Sequence, residues 1–316
     1  MNLKKYHPKI SVIIICYNQE KEIARALDSV LIQKEFVHEI IVSDDSSTDN
    51  TWEVLNDYCL KYPDKIKIYQ NEANLGVYKN YFAVNDKVTG DIVFRLAGDD
   101  VFCDKLFENA IKILPEKKID YKLENVILLF DFMVVYANGE KREVSNSLVE
   151  KHKGISLKLR NLITNRPLAE SYAQFKKRYF VEGIDGTVTP TQEGIIDIQP
   201  HYYAQDYFYA PFIGSVYYAG IGISRKLKTQ ERIMQYIVFC DNVLMEFPTL
   251  GKVDKRYILY RKSKYMFQSE PNIRNYLKYF FKTIQNVEIK YGLSFFKREY
   301  IQLLKSILKI QINKIS

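Results

Sequence analysis

Cysteine is scarce and scattered. Cys16, Cys59, Cys103 and Cys240 are the only four in 316 residues, and no two of them lie at a CxxC or zinc-binding spacing. That excludes a zinc ribbon and a disulfide scaffold, and reads as reduced core thiols in a cytoplasmic protein. No stretch approaches the roughly 20 apolar residues of a membrane span. The opening MNLKKYHPKISVIIICYN does not read as a signal peptide, because its apolar run is short and β-branched like a buried strand. Neither GxGxxG nor GxxxxGKS/T follows that strand, which removes a dinucleotide fingerprint and a P-loop. The histidines, His7, His38, His152 and His201, show no metal spacing and no nucleophile partner. Internal repeats and low-complexity tracts are lacking as well.

What is present is an ordinary globular balance, 47% hydrophobic and 27% charged, with an unusual 25 tyrosines. The net charge of +8 is concentrated at one end: between Tyr276 and Ser316 seven lysines and one arginine face only Glu288 and Glu299. The rest of the chain is therefore near neutral, which argues against a nucleic-acid footprint and for a basic appendage.

The first half alternates. KISVIIICYN, HEIIVSDD, KIKIYQ and GDIVFRL read as short apolar strands, each followed by a segment with helical spacing of apolar residues. Ser47 or Thr48 is the expected cap of the second helix. Such alternation predicts an α/β fold with a mostly parallel sheet covered on both faces, whose ligands bind at the carboxyl ends of the strands. Tyr17, Asp44, Asp45, Asp99 and Asp100 all fall just past strand ends. Further on, Asn138-Gly139 signals a hairpin that adds antiparallel strands. The segment TQERIMQYIVFCDNVLMEFPTL reads as a helix and RYILYR as a strand.

The pair ISVIIICYNQEKEIARALDSVL and EIIVSDDSSTDNT, continued by NEANLGVYKN and GDIVFRLAGDD, resembles the N-terminal half of the family 2 glycosyltransferases, which have the GT-A fold. The likeness extends to about Arg261. It implies a catalytic domain over residues 1–265, made of a nucleotide-sugar-binding half (about 1–103) and an acceptor-binding half (104–265), followed by a basic amphipathic helical region, 266–316. By the same resemblance Tyr17 would lie against the base and Asp45 would accept its imide N–H, which suits uracil or thymine. Asn18, Asp44, Asn74 and Asp99 would complete the nucleotide site.

In that family the fourth strand commonly ends in Asp-x-Asp-Asp. Here Ala97 holds the first acidic position, so Asp99 and Asp100 would bind a divalent cation, Mn²⁺ or Mg²⁺, that neutralises the donor diphosphate. The general base of an inverting transfer falls at Asp241, with Cys240 where the family usually has Glu; Asp206, Glu231 and Asp197 are the alternatives. Tyr207, Tyr217 and Tyr218, in a stretch that also holds Tyr202, Tyr203 and Tyr209, would stack on acceptor sugars. On the residues alone these carboxylates also read as a helix-flanking loop and a helix cap, and the tyrosines as core.

The implied activity is metal-dependent, inverting transfer from a nucleotide-sugar, UDP-linked, to a glycan or lipid-linked oligosaccharide in bacterial surface-polysaccharide assembly. A sugar nucleotidyltransferase and a non-catalytic binder on a decayed fold are the competing expectations, and homo-oligomer formation is left open. Ile301, Leu304, Ile307, Leu308 and Ile312 form one helical face set among lysines, which suits an anionic membrane surface as well as packing on protein. Truncation after about Gly292 should release the chain from anionic vesicles in a sedimentation assay; a full-length chain that never binds them makes the tail structural.

Overall fold

The computed structural model describes residues 7–122, 126–147, 172–175, 206–220, 229–246, 250–270 and 272–286. The β-branched run Ile10–Cys16 forms the central strand β1, and its side chains divide by parity between two faces of a sheet. Ile10, Val12, Ile14 and Cys16 enter one core with Ile40 and Val42, whereas Ile13 enters another with Ile41 and Val93. Both faces are thus buried, which explains why the strand is apolar throughout rather than alternating.

Around β1 the chain winds in order through α1 (Ile23–Leu31), β2 (Val37–Asp44), α2 (Thr51–Lys61), β3 (Ile66–Gln70), α3 (Gly76–Asn85) and β4 (Ile92–Ala97). The strands β3, β2, β1 and β4 are adjacent and parallel. Helix α1 turns Ile23, Ala26, Leu27 and Val30 onto the first face, and α3 turns Tyr81 and Val84 onto the second. The short β5 (Val101–Phe102) and α4 (Leu106–Glu116) follow, and Phe94, Phe102 and Phe107 pack edge-to-face at ring distances of 5.0–6.0 Å. Helix α2 begins at Thr51, with no side-chain cap from Asn50, so the expected Ser47 or Thr48 cap does not form. Those two residues are taken up by the neighbouring loop instead.

Strands β6 (Val126–Tyr136), β7 (Lys141–Val144), β8 (Tyr172–Phe175) and β9 (Asp206–Ala219) extend the sheet. The Asn138-Gly139 turn joins β6 and β7 antiparallel, as expected, and β8 pairs antiparallel with both β4 and β6. The long β9 runs parallel to β6, with its register broken between Ala210 and Ile213, around Pro211, which has no N–H to give a ladder. Beyond this bulge Gly214 passes so close to the Phe130 ring that a Cβ there would sit 2.3 Å from it. The bend lets Ser215 and Val216 pair with β5, and so carries Tyr217 and Tyr218 to the end of β4.

The chain divides into two compact units, Met1–Leu227 and Lys228–Ser316, whereas the sequence reading carries one catalytic domain to residue 265. The second unit contains α5 (Thr229–Glu246), α6 (Lys252–Ser269) and α7 (Ile273–Asn286). RYILYR, read as a strand, lies within α6. Its buried residues form two stripes, Tyr260-Ser263-Phe267 and Ile258-Tyr265, because α6 packs against both α5 and α7; two stripes on one helix mimic strand alternation. Tyr236 of α5 stacks on Tyr265, and Tyr279 of α7 on Tyr260. Among the described residues no helix is long and apolar enough to cross a membrane.

The amino ends of the parallel strands are tied by one carboxylate. Glu39 on β2, 2% exposed, accepts bonds from Ser11 Oγ of β1 (2.8 Å), Lys67 Nζ of β3 (2.9 Å) and the Thr89 N–H before β4 (2.6 Å). Burial alone would push its carboxyl up, but the bonds from Lys67, Thr89 and Ser11 outweigh it and bring it down to about 2. A carboxyl lowered by folding gives its full stability above its ordinary 4.5 and loses it as pH falls toward 2. Glu39→Gln should therefore cost about 1–3 kcal/mol in urea unfolding at neutral pH, and flatten the acid loss of stability over that window.

Candidate functional site

At the opposite, carboxyl ends of the strands the backbone ladder continues past the sheet. Asp45 N–H donates to the Cys16 carbonyl (3.0 Å), Asn71 N–H to that of Asp44 (2.9 Å) and Gly98 N–H to that of Ile15 (2.9 Å). The turns after β1, β2, β3 and β4 therefore form one rim. Asn18 and Ser46 take left-handed backbone conformations there, with φ of 52° and 59°, the first being a residue type suited to it.

The turn after β1 and the loop after β2 are zipped together by their own polar residues. Asn18 N–H donates to Ser47 Oγ (2.9 Å), and Asn18 Oδ1 accepts from Thr48 N–H (2.8 Å). One step on, Gln19 N–H reaches Thr51 Oγ1 (2.8 Å), and Asn50 N–H reaches Glu20 Oε2 (3.0 Å). The polar letters of YNQE and SSTDNT are thus largely spent on each other. Tyr17, half-buried, and Asn74, exposed, stand at this rim.

Asp44 and Asp45 are both buried, at 0% and 3% exposure. Asp44 accepts from the Ser47 N–H (3.1 Å) and hydroxyl and from Gln70 Nε2 at the end of β3 (2.9 Å). Asp45 Oδ1 accepts from Asn71 Nδ2 (2.9 Å) and Leu75 N–H (2.8 Å), and its Oδ2 from Gly76 N–H (2.8 Å). The carboxylate that the sequence reading reserved for a base thus sits on the amino end of α3, where orphan N–H groups favour an anion. Asn80 of α3 completes the knot, accepting from Ser43 Oγ (2.6 Å) and Asn71 Nδ2 (2.9 Å). Sequence reasoning passed over Asn71 and Asn80; the one signal was their place beside the NLG turn. Burial pushes the Cys16 thiol well up and Asp44 adds to the rise, so this cysteine stays protonated core.

Past β4 the turn Ala97–Asp100 closes tightly. A Cβ on Gly98 would sit 2.3 Å from Gln19 Oε1 and 2.9 Å from Cys16 Cβ, so only glycine fits. Burial raises the Asp99 carboxyl and Glu22 raises it further, against the opposing effects of its own N–H, Arg25 and the Gln19 amide. Gln19 Oε1 itself is buried without a donor. Asp100, 2% exposed, accepts the Tyr218 N–H of β9 at 2.9 Å. Arg25 of α1, another residue the sequence did not single out, donates to the Asp99 carbonyl at 2.7 Å. Among the described residues no group of three or more His, Cys, Asp or Glu gathers as a metal cage. The oxygen-rich pair Asp99 and Asp100, one of them desolvated and raised, is the kind of donor set a hard cation relieves.

Asp241 lies on α5 of the second unit, half-exposed, with Lys262 Nζ of α6 against both of its carboxylate oxygens, at 2.5 and 2.6 Å. The downstream strand that supported its register in the sequence is α6, a helix. Cys240 is fully buried, and burial, which Asp241 reinforces and Arg261 and Lys262 oppose, pushes its thiol up to about 12. Tyr217 is half-buried on β9; the side chains of Asp206, Tyr207 and Glu231 and the whole of Asp197, Tyr202, Tyr203, His201 and the tail 287–316 lie outside the described residues.

Comparison with known proteins gives this rim a context. Residues 11–127 match the model of Glycosyl transferase family 2. EpsE of Bacillus subtilis, which carries a provisional glycosyltransferase name, is 34% identical over 124 residues, 39% of this chain and 45% of EpsE. WfaP of Escherichia coli, named as a UDP-Glc:alpha-D-GlcNAc-diphosphoundecaprenol beta-1,3-glucosyltransferase, is 26% identical over 148 residues, 46% of this chain and 57% of WfaP. The chain thus spans about half the length of these relatives. The crystal structure of S. aureus TarS 1–349 in complex with UDP-GlcNAc superposes with a TM-score of 0.55 at 18% identity, over 89% of this chain and 82% of that one. At that identity the likeness is one of fold.

Asp45→Asn would place an amide N–H₂ among donors. We expect a loss of about 1–3 kcal/mol in urea unfolding, with faster hydrogen exchange at Leu75 and Gly76; an unchanged midpoint would remove Asp45 from its place as anchor of the rim.

Proposed function

We propose, from the membership of residues 11–127 in glycosyl transferase family 2 and the GT-A fold of the chain, a transferase that moves a sugar from a UDP-linked donor to a glycan or lipid-linked oligosaccharide. The observation that carries this reading is the single rim holding Tyr17, Asn18, Asp44, Asp45, Asn74, Asp99 and Asp100 at the carboxyl ends of four adjacent parallel strands. The uridine diphosphate donor is supported by the names of WfaP and of the TarS complex, and the lipid-linked acceptor by that of WfaP. Bacterial surface-polysaccharide assembly at the inner face of a membrane is the setting we infer, a reading to which the diphosphoundecaprenol acceptor in the name of WfaP lends support.

In this reading Tyr17 offers its ring face to the base. Asp45, with its Oδ1 engaged twice, has one lone pair left on Oδ2 for an imide N–H, and Asp44 and Asn18 hold the loop in shape. Asp99 and Asp100 would hold a divalent cation, which when bound supplies positive charge to the diphosphate oxygens as the leaving group departs. An acceptor hydroxyl attacks the anomeric carbon from the face opposite the diphosphate; the carbon–oxygen bond to the diphosphate breaks and its electron pair leaves with the nucleotide. The hydroxyl proton goes to a general base, for which Asp241 is our assignment. Lys262 occupies both oxygens of that carboxylate, so the acceptor hydroxyl has to share it or displace it.

The buried thiol of Cys240 at a position where the family usually has a carboxylate, together with the engaged Asp241, favours a second reading, a nucleotide- or glycan-binding protein without turnover. Transfer or donor hydrolysis with UDP-sugars and Mn²⁺ separates the two.

Asp99→Ala and Asp100→Ala should each abolish Mn²⁺-dependent gain in UDP affinity, measured by calorimetry with and without chelator; an unchanged gain would move the cation elsewhere. Asp241→Asn should keep UDP affinity and lower kcat by about 10²–10⁴. A fully active Asp241→Asn would transfer the base role to Asp206, Glu231 or Asp197.

A further inference from the structure

Arg25 sits in the first turn of α1, and two segments distant in sequence meet on it. Its Nη2 donates to the carbonyl of Asp99 at 2.7 Å. Its guanidinium carbon lies 3.9 Å from the centre of the Tyr218 ring. The Tyr218 N–H in turn donates to Asp100 Oδ1 at 2.9 Å. The contacts close a ring: helix α1 to Asp99, Asp99 to Asp100 along the chain, Asp100 to β9, and β9 back to α1. Arg25 Nε is buried with no acceptor, so the residue is not placed to maximise its own hydrogen bonding.

The residue type matters. A planar guanidinium can cover an aromatic face while an edge N–H donates to a carbonyl, in a pre-organised fork; a compact, strongly hydrated ammonium on a flexible stem covers less of the ring and is held less firmly. The contact also bears on the part of the site that departs from its family. With Ala97 in the first acidic position, two carboxylates remain, and their placement rests on what holds the turn. The Asp99 carbonyl and the Asp100 carboxylate are the two handles by which Arg25 and β9 grip it. Gly98, with no room for a Cβ, is pressed against Gln19 and Cys16.

We propose that Arg25 is a positioning residue: through Tyr218 and the Asp99 carbonyl it fixes the Asp99–Asp100 turn against β9, the strand that carries the acceptor-site tyrosines. The proposal deepens the transferase reading and rests on it for the identity of the ligands. It predicts a division of labour along the rim, in which Arg25 serves the cation and diphosphate end and leaves the Tyr17 end untouched.

The test uses the full chain with Arg25→Met, Arg25→Lys and Tyr218→Leu, UDP as the nucleotide probe and Mn²⁺ as the cation probe. Arg25→Met should weaken Mn²⁺ binding in the presence of UDP by about tenfold or more, read by electron paramagnetic resonance of the free ion. UDP affinity in chelator should stay within about twofold of the parent. Tyr218→Leu should reproduce the Mn²⁺ loss, and Arg25→Lys should recover only part of it. Parent-like Mn²⁺ binding in Arg25→Met overturns the proposal, as does an equal loss of UDP binding in chelator, which would make Arg25 a general structural residue. If Arg25→Met does not fold, Arg25→Lys and Tyr218→Leu decide alone. Should the parent itself bind neither UDP nor Mn²⁺, the transferase reading falls. Hydrogen exchange at the Tyr218 amide still tests the latch then: faster exchange in Arg25→Lys supports it, and unchanged exchange overturns it.

Discussion

The rim at the carboxyl ends of the parallel strands depends on a buried carboxylate, Asp45, seated on the amino end of α3. Three donors from beyond β3 converge on it, from Asn71, Leu75 and Gly76, and they pull the third loop of the sheet against the second. A buried anion is costly unless its oxygens are met, and here helix N–H groups and an amide meet them. With that contact in place, Asp44 gathers Ser47 and Gln70, Asn18 zips onto Ser47 and Thr48, and the four strand ends become one surface. The opposite end of the sheet uses the same device with Glu39, whose partners are Ser11, Lys67 and Thr89.

The two ends of the sheet differ in how completely their buried polar groups are matched. At the amino ends, Glu39 is matched by Lys67, Ser11 and Thr89. At the carboxyl ends the matching is incomplete: Gln19 Oε1 and Arg25 Nε are buried without partners, and Asp99 is held above its ordinary carboxylate value. Perturbed groups crowded at one rim are where ligand chemistry is expected.

The parallel half of the fold was legible because each signal was local: β-branched runs, helical spacing, and carboxylates just past strand ends. The Asn138-Gly139 hairpin was legible for the same reason. What escaped was set by distant partners. Arg25 reads as one more exposed cation on an amphipathic helix until β9, nearly two hundred residues on, brings Tyr218 over it. Asn71 and Asn80 read as loop and helix polar residues until Asp45 and Ser43 face them. RYILYR was misread because α6 is buried on two sides, and period two and a two-striped helix look alike over six residues. The acidic pair itself was found, but its division was not: Asp100 turns to β9, and Asp99 stays beside Glu22 and Arg25.

The account stands or falls on the rim being a nucleotide site with a cation at one end. Thermal unfolding of the full chain with UDP, GDP and dTDP, each with Mn²⁺ and with chelator, tests that most directly. The account predicts a rise in melting temperature with UDP and a larger one when Mn²⁺ is present. A chain indifferent to all three nucleotides, or stabilised equally by UDP in Mn²⁺ and in chelator, would contradict it.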